Sequence, residues 1–168
     1  MRATLDTNAF VSALNFGGVP EQILDLHTDE KFVLCISPAI IDEIRRILAD
    51  RFEWPEKSIV TALEPILSRA VTIEPKLMVA VCADPDDNHI LACGIDSQSD
   101  FIVTGEDHLL RLGEFDGIRI VKPREFLDII RIKLLYKVRF TWRKHTISPP
   151  SAARKPHRRR ESSPVWLE

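Results

Sequence analysis

Short apolar runs and helical repeats alternate along this chain from residue 2 to about residue 130, and that alternation limits the fold more than any other feature. Arg2–Leu5, Phe32–Ile36, Ala70–Ile73, Asp100–Thr104 and Ile118–Val121 read as short strands. Helical segments lie between them. In SPAIIDEIRRILAD, Ser37 suits an N-cap and Pro38 the first helical position. Apolar residues then recur at 40, 41, 44, 47 and 48. Further helices are expected over Thr7–Asn15, after Pro20, over residues 55–68, from about Asp86, and in KPREFLDII. Strands that alternate with helices predict an α/β fold with a mostly parallel sheet covered on both faces. In such sheets the functional site sits at the carboxyl ends of the strands.

The length of 168 residues suits one domain with a substantial core. No apolar stretch is long enough to span a bilayer, and the first residues carry no secretory pattern. Cys35, Cys82 and Cys93 show no paired metal spacing and read as buried thiols, which fits a reducing cytoplasm. The net charge of −2 conceals two unlike pieces. Residues 1–130 carry 12 Lys and Arg against 23 Asp and Glu, a balance of −11. Residues 131–168 carry 11 against 2, a balance of +9.

The acids of the first piece have a pattern. Asp6 ends the first strand. Glu43 borders the apolar stripe of its helix, three residues after Ile40, while Asp42 points away with Arg46. Asp87 shares the inward face of Ile90, Leu91, Gly94 and Ile95, near a helix N-terminus that favours a carboxylate. Asp84 and Asp86 fall in the turn before it. Glu106 and Asp107 follow the strand DFIVT, so one of them can join the group. Clustered carboxylates repel one another unless they protonate or share a divalent cation. Oxygen ligands without a Cys or His pattern favour Mg²⁺ or Mn²⁺ over zinc. Such a site suits hydrolysis of a phosphodiester by a metal-activated water.

Each acid also has a plainer role. Asp6 can cap the helix at Thr7, Glu43 can sit in a partly buried ion pair, DPDDN is a common turn and cap, and Glu106–Asp107 is a capping pair. His89 and His108 read as surface or capping residues. What distinguishes the chain is that all these acids fall together at strand ends or on inward helix faces.

The segments LDTNAFVSAL, SPAIIDEIRRIL, DPDDNHILACGI, DFIVTGEDHLL and GIRIVKPREFLDII, in this order and spacing, resemble a PIN domain over about residues 1–130. The branch resembled is that of toxin components of toxin–antitoxin systems. The resemblance implies a three-layer α/β/α sandwich and a metal-dependent ribonuclease. The metal-holding carboxylates would be Asp6, Glu43 and Asp87. The fourth family acid, usually aspartate, falls on Glu106, with Asp107 as a substitute. Asn8, Asp84 and Thr104 match supporting positions. RNA and a cognate antitoxin are the implied partners, and a homodimer is left open. Two other readings compete: a PIN fold with an impaired site that binds RNA or a partner, which the Glu106 departure leaves open, and a receiver-type signalling domain, whose strand-end lysine and paired early acids are missing.

Residues 131–168 lie outside the resemblance. RIKLLYKVRFTWR alternates apolar and mostly basic residues, which predicts a strand at 132–142. It could pair at a sheet edge, join two subunits, or lay basic and aromatic groups on RNA. TISPPSAARKPHRRRESSP is rich in Pro, Ser and Arg and reads as disordered. An extension without any selected role fits as well.

Overall fold

The computed structural model of the chain describes residues 1–145. Strand β1 (Arg2–Leu5) leads into helices α1 (Thr7–Phe16) and α2 (Val19–Thr28). Strand β2 (Val33–Ile36) leads into α3 (Pro38–Phe52) and α4 (Glu56–Leu67). After β3 (Val71–Thr72), a long connection reaches α5 (Pro85–Asp96). Then come β4 (Phe101–Val103), α6 (Asp107–Leu110), β5 (Glu114–Phe115), β6 (Ile118–Val121) and α7 (Pro123–His145). Among these helices, none is long and apolar enough to cross a membrane.

The six strands form one sheet in the order β3-β2-β1-β4-β6-β5. All neighbours pair in parallel except β5, which runs antiparallel to β6. The chain winds outward from β1 through β2 to β3, then returns to β4 on the other side of β1. The crevice between the ends of β1 and β4 is therefore the sheet's topological switch point. Helices cover both faces, giving a three-layer α/β/α sandwich.

Helices α1 to α4 and α7 pack among themselves, while α5 lies against β1, β2 and β4. Gly94 lets α5 come close. A Cβ there would stand 2.9 Å from Ile102 Cδ1, inside the contact limit. Phe126 of α7 fills the core edge-on to Phe32 at 5.2 Å, and leans on Phe101 at 5.5 Å.

Two elements depart from the sequence reading. Strand β5 is not among the expected strands, although its signal is present. Asp116 and Gly117 both take positive φ (50° and 78°) and join β5 to β6 as a two-residue hairpin, the conformation an Asp-Gly pair favours. The strand expected at 132–142 is instead part of α7, which runs unbroken to His145. The alternation there overlaps a helical stripe: Phe126, Leu127 and Ile130 are buried and Leu134 packs against them. Once that register is set, each further residue adds a backbone hydrogen bond at little cost. The segment expected to be disordered lies, from residue 146 on, outside the described residues.

Candidate carboxylate site

Register brings the first two site residues together. Leu5 pairs with Val103, so the next residues, Asp6 and Thr104, emerge side by side at the switch point. The Asp6 N–H still donates to Val103 O at 2.9 Å, and the Thr104 N–H to Val121 O at 3.1 Å. Asp6 is 5% exposed, and both its oxygens accept. The Thr104 hydroxyl donates to Oδ2 at 2.6 Å and the Asn8 N–H to Oδ1 at 3.1 Å. The second bond makes Asp6 the N-cap of α1, so its capping and site placements hold at once.

The other acids arrive from three separate elements. Glu43 reaches in from α3, and the Thr7 hydroxyl donates to its Oε2 at 2.7 Å. Asp87 sits in the first turn of α5, 9% exposed. Glu106 follows β4. Its N–H donates to Thr104 Oγ1 at 2.9 Å, and its Oε1 accepts from Asn8 Nδ2 at 2.6 Å. Asp84 caps α5 by accepting from the Asp86 N–H at 3.0 Å. Asp6, Glu43, Asp84, Asp86, Asp87 and Glu106 all line one pocket of about 150 Å³, with Asn8 and His108. Asp107 is exposed on α6 and does not line it.

Three features differ from the sequence reading or were missed by it. Asp86 belongs to the pocket wall rather than to the turn alone. Arg46 does not point away from the site with Asp42. Its guanidinium approaches Asp86 at 3.7 Å, so α3 contributes a cation at the rim. His108 lines the pocket. These placements depend on how α3, α5 and α6 approach one another. The sequence marks Asp86 only through its position in the acidic first turn.

Burial, and after it the crowding of the acids, shifts their pKa values. Burial is the largest influence raising the Asp6 carboxyl above its ordinary range. Glu106 and Asp87 add to it, and the Thr104 and Asn8 hydrogen bonds oppose it. Burial also raises Glu43, against the Thr7 hydrogen bond and reinforced by Asp86 and Asp6. Asp87 is raised by burial and then by Asp84, with His108 pulling the other way. Cys82, near the same acids, is likewise pushed up by burial and by Asp87 and Asp84.

The donor chemistry fits a hard divalent cation, since the pocket offers carboxylate oxygens and no thiol. Among the described residues, no three or more Asp, Glu, His or Cys side chains close into a ligand cage for a single ion. Burial, and after it the neighbouring carboxylates, makes Asp6, Glu43 and Asp87 weaker acids than usual, and a bound cation would favour their ionised forms.

A mostly parallel three-layer sandwich with its acids gathered at the switch point defines a class, the α/β domains built around a carboxylate pocket. Within that class the chain belongs to the PIN domain family, whose members are generally nucleases; the family's model matches residues 2–108. The chain is similar to the uncharacterized protein MJ1680 of Methanocaldococcus jannaschii, 32% identical over 141 residues, which cover 76% of this chain and 90% of that protein. In fold it resembles a chain in the crystal structure of VapBC2 from Rickettsia felis bound to a DNA fragment from their promoter. The TM-score is 0.53 at 16% identity, over 73% of this chain and 98% of that one.

Proposed function

We propose that this protein is a Mg²⁺- or Mn²⁺-dependent endoribonuclease, the toxin of a toxin–antitoxin pair, with residues 1–130 as the catalytic unit and a cytoplasmic site of action. One observation supports the nuclease reading above others: acids from four separate elements line a single pocket at the switch point. The toxin assignment draws on family membership and on the likeness to a VapBC2 chain.

In this reading Asp6, Glu43 and Asp87 hold the cation, and Glu106 completes the group. When bound, the cation neutralises the cluster and supplies Lewis acidity at a phosphate oxygen. The chain's own residues do the rest. Thr104 and Asn8 fix both oxygens of Asp6, which sets the direction of its free lone pairs. Thr7 holds Glu43 in the same way. Asn8 ties Glu106 to the same end of the pocket, so the first turn of α1 orients three of the four acids. Arg46 and His108 at the rim are placed to meet the phosphates of an incoming strand.

The test is cleavage of a mixed RNA pool in Mn²⁺, Mg²⁺ or EDTA, with wild type beside Asp6→Asn. Cleavage by wild type that EDTA abolishes and Asp6→Asn loses supports the reading. Cleavage that persists in Asp6→Asn would rule this pocket out as its source. RNA retention without cleavage in any cation would favour the impaired binding module.

A further inference from the structure

The carboxylate pocket shares Asp84, Asp87 and His108 with a larger neighbouring cavity of about 610 Å³. We infer that this cavity seats the nucleotide next to the scissile phosphate of a single-stranded RNA, with Arg111 as its cationic contact. The inference rests on the nuclease reading above and names where the substrate binds.

Size separates the two cavities. Binding pockets for small organic ligands run from roughly 300 to 1,000 Å³. The carboxylate pocket is too small for a nucleoside, whereas its neighbour is within range. The walls suit a nucleotide as well. Val81, Pro85 and Leu112 present aliphatic surface to a base. Arg111 is the one guanidinium or ammonium lining either cavity, and among the described residues no carboxylate is ion-paired with it. A guanidinium can stack on a base plane or fork onto a phosphate. In a body of balance −11, a cation beside the acids gives the strand a fixed docking point. A base can enter only if it is unstacked, which selects single strands.

The wall is also preformed. Asn88 on α5 pins the loop before it with four hydrogen bonds. Its Oδ1 accepts from the N–H groups of Val81 and Cys82, both at 2.9 Å. Its Nδ2 donates to Cys82 O at 2.8 Å and Asp84 O at 3.0 Å. Asp96 accepts from the backbone N–H groups of Lys76 and Leu77, anchoring the earlier part of the same connection. One face of the cavity is thus held in place before any ligand arrives.

The experiment compares full-length wild type, Arg111→Ala, Val81→Trp and Arg69→Ala. Arg69 is an exposed residue after α4 that lines neither cavity, and its replacement removes the same charge. Val81 is 55% exposed, so tryptophan there can fill the cavity mouth without disturbing the core. Each variant's melting curve is checked first. Fluorescent single-stranded RNA hexamers are titrated in EDTA, and cleavage sites are mapped in Mn²⁺. Arg111→Ala should weaken binding roughly tenfold, the scale of one charge-assisted hydrogen bond. Val81→Trp should redistribute the cleavage sites and raise KM more than it lowers kcat. Arg69→Ala should do neither. If wild type cleaves and both cavity variants keep its affinity and site pattern, the inference is overturned while the nuclease reading stands. If wild type binds but never cleaves, and the cavity variants still weaken binding where Arg69→Ala does not, the cavity assignment stands and the nuclease reading falls. Equal losses in Arg111→Ala and Arg69→Ala would reduce the effect to net charge and overturn the inference.

Discussion

Asp6→Asn should stabilise the chain when divalent cations are absent, although Asp6 is buried and hydrogen-bonded. Burial, with the like charges of Glu106 and Asp87, outweighs the Thr104 and Asn8 hydrogen bonds and lifts the carboxyl above its ordinary value of 3.8. Ionised Asp6 therefore costs folding free energy at neutral pH, about 1.4 kcal/mol per unit of upward displacement. An amide keeps the shape and removes the charge. Its oxygen can still accept from the Asn8 N–H. Its NH₂ can donate to the Thr104 hydroxyl, which has a lone pair to spare beside the one that accepts from Glu106. The expected net gain is on the order of 1 kcal/mol, or about 2–4 °C in melting temperature for a chain of this size. The assay is thermal unfolding in EDTA at pH 7. The sign can be checked with pH. A carboxyl raised in the folded state stabilises fully below its unfolded pKa, and that contribution is lost as pH rises through the folded pKa. Wild type should therefore close the gap on acidification toward pH 4. In Mn²⁺ the order should invert. Wild type would gain about 2.7 kcal/mol at a hundredfold excess over Kd, and the variant much less. A variant that melts below wild type in EDTA at pH 7, or that shows the same Mn²⁺ rise, would refute the reasoning.

Asp87→Asn should likewise blunt the Mn²⁺-dependent rise in melting temperature, with calorimetry showing weaker Mn²⁺ binding. Thr104→Val removes the hydroxyl that donates to Asp6 and accepts from the Glu106 N–H. It should cost about 1.5–3 kcal/mol at pH 7, with a smaller deficit toward pH 4, as more of Asp6 becomes protonated; urea unfolding at the two pH values measures it. Gly94→Val drives a side chain into Ile102 and Ile118 and should destabilise by about 1–3 kcal/mol through overpacking, read from the same urea midpoints. Removing residues 146–168, which hold five Lys and Arg against two Glu, should weaken RNA binding and flatten its salt dependence, by up to about 0.7 in log–log slope for each phosphate the tail had neutralised. Cleavage at saturating RNA should survive. Soluble truncated protein without any cleavage would place part of the catalytic unit in the tail.

The truncation point reflects what the structure changed. From the sequence alone, residue 131 is a natural boundary, because the charge balance reverses there and the alternation suggests a new strand. In the folded chain α7 crosses that boundary, and Arg131 donates to Gln22 of α2 at 2.8 Å. Two periodicities coexist in RIKLLYKVRF. The packing of Phe126, Leu127 and Ile130 against the core decides between them. A local pattern cannot reveal which neighbour will already be in place.

What the sequence determined by itself was whatever each residue shows through its near neighbours. Strand and helix periods gave the α/β class. Ser37 and Pro38 marked the start of α3, and Asp6, Glu43 and Asp87 stood out by their positions at a strand end, beside an apolar stripe and on an inward helix face. The Asp116–Gly117 hairpin was equally local, and its signal is there in the Asp-Gly pair. Only the tertiary structure decided what depends on distance in space. It made β1 and β4 adjacent, so that Thr104 could bond Asp6 across 98 positions of sequence. It turned Arg46 toward Asp86. It set the Arg111 side of one loop against the Val81 side of another to enclose a cavity. The physical reason is range. Caps, turns and amphipathic stripes are fixed by residues within about one or two helical turns of one another. Pocket walls instead follow from the order of strands in the sheet and the closeness of helix packing, and many residues far apart in sequence set these jointly.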